Sequence, residues 1–64
     1  MVTINGVQEE AAGMILLAWL QRADFSPDTV VVEKNLDIIP KEALETTVLA
    51  DGDRVEILRF VGGG

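Results

Sequence analysis

One segment with a helical pattern lies between strand-like segments, and this order limits what the chain can fold into. Residues 11–23 lack strand alternation and are rich in helix formers. Apolar residues recur there at i, i+3, i+4 and i+7, which is one face of a helix; they are Leu16, Trp19, Leu20 and Ala23. A sheet with one helix across one face buries both apolar surfaces in two layers. The pattern therefore predicts an α+β domain.

Short strands and turns account for the rest of the chain. Asn5 and Gly6 are the residue pair preferred in a two-residue type I′ turn, because both positions need positive φ. Residues 1–10 are therefore predicted to form a β-hairpin. Further strands are predicted at 29–33, 38–39 and 54–60, with one helical turn at 41–47. The order is β-β-α-β-β-(short helix)-β in a mixed sheet of four to five strands, and we expect the first and last strands to be parallel neighbours at its centre.

Composition excludes several classes of function. The 64 residues allow one small domain, and 48% hydrophobic residues favour a folded one. A net charge of −6 argues against nucleic-acid binding, and it suits either a protein partner with a basic surface or solubility alone. The sequence has no cysteine and no histidine, so it lacks the usual nucleophile, general base and metal ligand. No apolar run approaches the roughly 20 residues of a membrane span, and residues 1–6 lack an export signal, so we expect a cytoplasmic protein without membrane contact.

The glycine end is the most unusual feature of the sequence. Gly62, Gly63 and Gly64 follow Val61 directly after the last predicted strand. Glycine packs poorly and loses the most backbone entropy on ordering, but it keeps a chain slim. We therefore divide the sequence into a domain at 1–60 and a flexible tail at 61–64, which could thread a channel and present the Gly64 carboxylate to another protein.

The order of elements and several short motifs together resemble a known family. The motif residues are Asn5 and Gly6, residues 30–32 before Asn35, residues 39–41, residues 52–57 and the end at 60–64. They resemble the ThiS-type sulfur carriers of thiamine biosynthesis, whose ubiquitin-like fold is the β-grasp. The resemblance covers essentially the whole chain, and Gly-Asp-x-Val-Glu-Ile followed by a terminal Val-Gly-Gly-Gly is its most specific part.

The resemblance implies a carrier rather than an enzyme. An E1-like adenylyltransferase of the ThiF type would use ATP to adenylate Gly64, so the chain itself would hold no permanent cofactor. Sulfur from a persulfide donor would then replace AMP, and the resulting thiocarboxylate would pass sulfur to a thiazole synthase of the ThiG type. Two alternatives stay open: the small subunit of molybdopterin synthase, or a ubiquitin-like modifier that is conjugated through Gly64.

The last strand is also expected to carry a partner surface. Val55 and Ile57 should face the helix, whereas Leu58 and Phe60 should lie on the opposite, open face. We expect Leu58 and Phe60 to bind the adenylating enzyme, together with Val61 and Arg59. A β-bulge that turns Leu58 or Phe60 inward is the alternative.

Arg59 has three open interpretations. It could steady the terminal carboxylate, pair with an acid of the partner, or be an ordinary surface charge.

Some residues depart from the family pattern or leave a choice open. Leu36 stands where glycine often follows the asparagine, Asp24 replaces a glycine at the helix end, and the helix start lacks a Ser or Thr cap. The apolar residues Met14, Ile15 and Leu17 indicate either a broad buried face or a second interface. Acidic residues 51, 53 and 56 fit a solvated turn better than a calcium loop, so no metal site is predicted.

Overall fold

The computed structural model describes residues 1–59. The strands are β1 (Val2–Ile4), β2 (Val7–Glu9), β3 (Val30–Lys34), β4 (Asp37–Ile39) and β5 (Arg54–Arg59). One α-helix, α1 (Leu16–Arg22), follows β2, and short 3₁₀ turns occupy Pro27–Thr29 and Lys41–Ala43. The predicted order of elements is confirmed.

The five strands form one mixed sheet in the order β2-β1-β5-β3-β4. β5 lies at its centre, parallel to β1 and antiparallel to β3. Two antiparallel hairpins, β1–β2 and β3–β4, complete the sheet. The predicted parallel pairing of the first and last strands is confirmed, and the architecture is a β-grasp.

The core lies between α1 and one face of the sheet. Leu16, Trp19 and Leu20 are buried on the helix, as the spacing predicts. The sheet contributes Val2, Ile4, Val32, Val55 and Ile57, and the long β4–β5 connection adds Leu44 and Leu49. Each fully buried aliphatic side chain stabilises the fold by roughly 1.5–3 kcal/mol relative to an exposed one.

The helix is shorter than its sequence pattern predicts. Gly13 has a φ of +89°, and Ile15 is extended and bridges Val48, so α1 begins only at Leu16. The Leu16 amide donates to the carbonyl oxygen of Thr47 at 2.8 Å, which ties the helix start to the β4–β5 connection. No side chain caps the helix, as expected. Burial of Ala23 was a wrong prediction, because this residue follows the last turn and is exposed.

Asn5 anchors one side of β5 through its side chain. Asn5 and Gly6 both have positive φ, 51° and 81°, as the predicted turn requires. The Ile57 amide donates to Asn5 Oδ1 at 2.7 Å, and Asn5 Nδ2 lies 3.3 Å from the Ile57 carbonyl oxygen. The Asn5 amide also donates to the carbonyl oxygen of Val55 at 2.9 Å. The side-chain amide thus continues the pairing of β1 with β5 beyond the last residue of β1.

Asn35 anchors the other side of β5 in a similar way. The Arg54 amide donates to Asn35 Oδ1 at 2.9 Å, and the Asn35 amide donates to the Arg54 carbonyl oxygen at 2.8 Å. Asn35 Nδ2 then donates to Asp53 Oδ1 at 2.9 Å. The β3–β4 turn is thereby fixed to the residue before β5.

Asp53 is a buried carboxylate rather than the solvated turn residue that the sequence predicts. Only 9% of this residue is exposed, and its Oδ2 accepts a 2.8 Å hydrogen bond from the Ala50 amide. This backbone hydrogen bond, then the Asn35 hydrogen bond and the charge of Lys34, lower the pKa of Asp53, while burial opposes them. Lys34 Nζ lies 3.6 Å from Asp53 Oδ2.

The Asn5 side chain can be removed without straining its turn. Asn5→Gly keeps a residue that tolerates positive φ but removes both hydrogen bonds to Ile57. We expect the free energy of unfolding to fall by about 1–3 kcal/mol, at roughly 0.5–1.5 kcal/mol per hydrogen bond. Urea denaturation measures this change. An unchanged midpoint would show that the amide does not anchor β5.

Acid titration tests the role of Asp53. Because its folded-state pKa lies below the ordinary 3.8, the carboxylate stabilises the fold fully above that value. This contribution is lost as pH falls through the lowered pKa. Asp53→Asn should be less stable than wild type at pH 7 by about 1–3 kcal/mol, and this difference should shrink as pH falls below 3.8. Urea denaturation across this range measures it, and a difference independent of pH would contradict the assignment.

Candidate functional site

The candidate site begins where the described structure ends. β5 carries the chain to Arg59, and the glycine end follows after two more residues. Phe60, Val61, Gly62, Gly63 and Gly64 lie outside the described residues, so their predicted roles stay predictions, as does the division at residue 60.

Leu58 lies on the open face of the sheet, as predicted. Val55 and Ile57 are 0% and 6% exposed on the helix side, whereas Leu58 is 56% exposed. The pairing of β3 with β5 runs without interruption from Lys34 opposite Val55 to Val30 opposite Arg59. A bulge that turns Leu58 inward is therefore excluded, and an apolar side chain lies on open sheet just before the end of β5.

The open face near Leu58 is partly apolar. Val31 lies directly opposite Leu58 on β3, and Ile38 on β4 is 67% exposed. The charged residues Glu33, Arg54 and Glu56 interrupt this face. Single exposed apolar side chains among charged ones are ordinary on a protein surface, so the interest of this face comes from the position of Leu58 next to the end of β5.

Arg59 lies on the helix side of the sheet, away from Leu58. Its guanidinium carbon is 4.8 Å from the centre of the Phe25 ring, which in turn stacks on Trp19 at 6.3 Å. Such a cation–π contact contributes about 0.5–1 kcal/mol at an exposed site. Arg59 is thus held by the domain and forms no ion pair with residues 1–59. The sequence did not predict this contact, because the two residues are far apart in the chain.

The acidic turn before β5 is used for structure. Asp53 is buried in the network with Asn35, and Asp51 contacts the N-terminal amine of Met1. Within residues 1–59 no three carboxylates, histidines or cysteines come together as they would around a metal ion.

The apolar residues before and within the helix divide between the core and the surface. Met14 and Leu17 are partly buried against the core, which favours the broad buried face over a second interface. Ile15 is 42% exposed and lies before the helix rather than in it. In residues 1–59 no helix has the length and apolar character needed to cross a membrane.

Comparison with solved structures gives the same fold. A crystal structure of a thiamine biosynthesis protein (ThiS) from Geobacter metallireducens superposes with a TM-score of 0.77. The two sequences are 33% identical, and the match covers 98% of this chain and 97% of the other. A solution NMR structure of a thiamine biosynthesis protein from the same organism gives a TM-score of 0.76 and covers 86% of that chain.

Comparison with characterised sequences points the same way. The chain is 38% identical over 64 residues to a thiazole synthase of Paramagnetospirillum magneticum and 33% identical to one of Magnetococcus marinus. It spans 20% of the length of each of these two relatives. Over 35 residues, which are 55% of this chain and 53% of the other, it is 51% identical to the sulfur carrier protein ThiS of Bacillus subtilis. The family model of ThiS matches residues 2–64. The chain therefore belongs to the ThiS family.

Proposed function

We propose that the protein is a sulfur carrier whose working group is the carboxylate of Gly64. The observation that carries this proposal is the family match, which runs from residue 2 through Gly64 and so includes the whole glycine end. A carboxylate is a poor electrophile, because its charge repels nucleophiles and its oxygen leaves badly. Chemistry at Gly64 therefore requires activation by another protein.

The activation and sulfur transfer can be written in balanced steps. A carboxylate oxygen of Gly64 attacks the α-phosphorus of ATP, and pyrophosphate leaves. The terminal sulfur of a persulfide then attacks the acyl carbon, and AMP leaves. A thiol next cleaves the bond between the two sulfurs and forms a disulfide with the donor sulfur, which frees the thiocarboxylate. ATP is a substrate of the adenylating partner rather than a cofactor of this chain.

The composition supports the division of labour between carrier and partners. Without cysteine or histidine the chain has neither the usual nucleophile nor the usual general base. The domain contributes the strand β5 and the slim glycine end that follows it. At roughly 3.3 Å per extended residue, this end could reach about 13 Å beyond Phe60. We therefore assign the chemistry to an E1-like adenylyltransferase of the ThiF type and a persulfide donor, and we place it in the cytoplasm, where ATP is available.

A thiazole synthase of the ThiG type is the proposed acceptor of the sulfur. Two relatives named thiazole synthase contain a stretch like this chain within a much longer sequence. A carrier domain and a synthase that share one chain would act on each other. This relationship favours the thiamine branch over the small subunit of molybdopterin synthase and over a modifier conjugated through Gly64.

The partner that adenylates Gly64 is proposed to bind Leu58 on the open face and to contact Phe60, with Val61 entering its channel. Arg59 lies over the ring of Phe25 and forms no ion pair with residues 1–59, so its guanidinium can bind an acid of that partner. The net charge of −6 suits a basic partner surface.

Intact mass spectrometry tests the carrier function. The protein is incubated with ATP, the adenylating enzyme and a persulfide donor. We expect a mass gain equal to the replacement of one oxygen by sulfur, located at Gly64 by fragmentation. A variant that lacks Gly64 should fold normally and gain no mass. An unchanged wild-type mass with an adenylating enzyme that is active on another carrier would contradict the proposal.

A pair of alanine substitutions tests the docking surface. Leu58→Ala should weaken binding to the adenylating enzyme about tenfold, which corresponds to about 1.4 kcal/mol, and change stability little. Val7→Ala is the matched control, because Val7 has the same 56% exposure but lies on the sheet-edge strand β2. Isothermal titration calorimetry measures both. Equal affinities for the two variants would show that Leu58 does not contact this partner.

A further inference from the structure

Leu36 occupies an unfavourable conformation in a fully open position. It follows Asn35 in the turn between β3 and β4. The φ value of Leu36 is 73°, and that of Asn35 is 53°. Positive φ is common for asparagine but costly for leucine, whose Cβ crowds the backbone. The Leu36 residue is 88% exposed, so the core gains nothing from it. The two-residue turn between β3 and β4 requires positive φ at this position but not a leucine side chain, so a leucine at this cost points to a role in function.

A second unfavourable feature lies on the same surface. Glu33 on β3 and Glu56 on β5 are directly opposite each other in the sheet. Like charges in this position repel, and neither carboxylate forms an ion pair with residues 1–59. Arg54 lies on the same face but does not pair with either of them.

These residues surround one hollow on the open face. Its volume is about 390 Å³, and its lining residues are Glu33, Asn35, Leu36, Arg54 and Glu56. The floor is held in place, because Asn35 is bonded to Asp53 and to the backbone of Arg54. The hollow therefore combines the fixed side chain of Asn35, the exposed apolar side chain of Leu36, and two neighbouring carboxylates that form no ion pair with residues 1–59.

We propose that this hollow is a docking point for the thiazole synthase, and this inference rests on the proposed carrier function. A basic side chain of the synthase lies between Glu33 and Glu56, and an apolar neighbour covers Leu36. Charge complementarity supports a basic contact at this point, since a cation would remove the repulsion between the two carboxylates. Burial of the Leu36 side chain against the synthase would likewise remove apolar surface from water and so stabilise the complex.

Two further observations concern the occupant: the first requires a protein that receives the glycine end, and the second favours the synthase among such proteins. The hollow shares the open face with Leu58, which adjoins the end of β5, so a protein that receives the glycine end can reach both. The thiazole synthases of P. magneticum and M. marinus include a stretch similar to this chain, so a surface for that partner is expected on the domain.

The substitution Leu36→Gly separates the docking role from a structural one. Glycine removes the positive-φ strain and the side chain together, so stability should rise while affinity for the synthase falls about tenfold. Asp24→Gly is the control, because Asp24 also has positive φ, 64°, but follows α1 at a distance from the hollow. This control should be at least as stable as wild type and bind the synthase with unchanged affinity. Glu56→Gln should also weaken binding, and more strongly at low salt.

Binding to the synthase is measured by calorimetry, stability by urea denaturation, and self-association by sedimentation. The proposal would be overturned if Leu36→Gly bound the synthase with wild-type affinity. It would also be overturned if this variant lost equal affinity for the synthase and for the adenylating enzyme. Self-association that Leu36→Gly abolishes would overturn it as well, because a second copy would then occupy the hollow. Thiocarboxylate formation is measured on the same samples. If wild type gains no sulfur, the carrier function fails; if it gains sulfur and Leu36→Gly binds the synthase normally, only the docking proposal fails.

Discussion

The central strand β5 is the constraint on which the rest of the structure depends. It pairs with β1 on one side and β3 on the other, and side-chain amides extend both pairings. Asn5 bonds to Ile57 on one side, and Asn35 bonds to Arg54 on the other. Each asparagine also occupies a turn position with positive φ, which it tolerates better than most residues. The same two residues therefore form the hairpin turns and fix the strand that leads to the glycine end.

This arrangement separates the fixed and reactive parts of the molecule. The core under α1 and the hydrogen bonds around Asp53 hold β5 in one register. The proposed reactive group lies beyond this strand, in the Gly64 carboxylate. The domain then serves its partners as a recognisable surface, with Leu58 near one end of the open face and the hollow beside Leu36 near the other. Separate contacts on one face would allow an adenylating enzyme and a synthase to bind in turn.

The local features could be predicted from the sequence, whereas the features that depend on distant residues could not. The Asn5-Gly6 turn and the alternation of β5 are properties of adjacent residues, and both predictions are confirmed. The helix was predicted too long, because the apolar residues before Leu16 bond to the 47–49 segment, which no local pattern reveals. Burial of Asp53 depends on Asn35, 18 residues away, and the position of Arg59 depends on Phe25. A buried polar network leaves little trace in a single sequence.

Native-state amide hydrogen exchange tests the central claim that the Asn5 side chain holds β5 firmly in the sheet beyond the last residue of β1. The Ile57 amide donates to a side chain rather than to a backbone carbonyl, so it would exchange readily if Asn5 were a loose surface contact. We predict that this amide exchanges only through global unfolding, so that its free energy of exchange equals that of the amides that pair β3 with β5. Exchange of Ile57 at a much lower free energy, through local opening, would contradict the account.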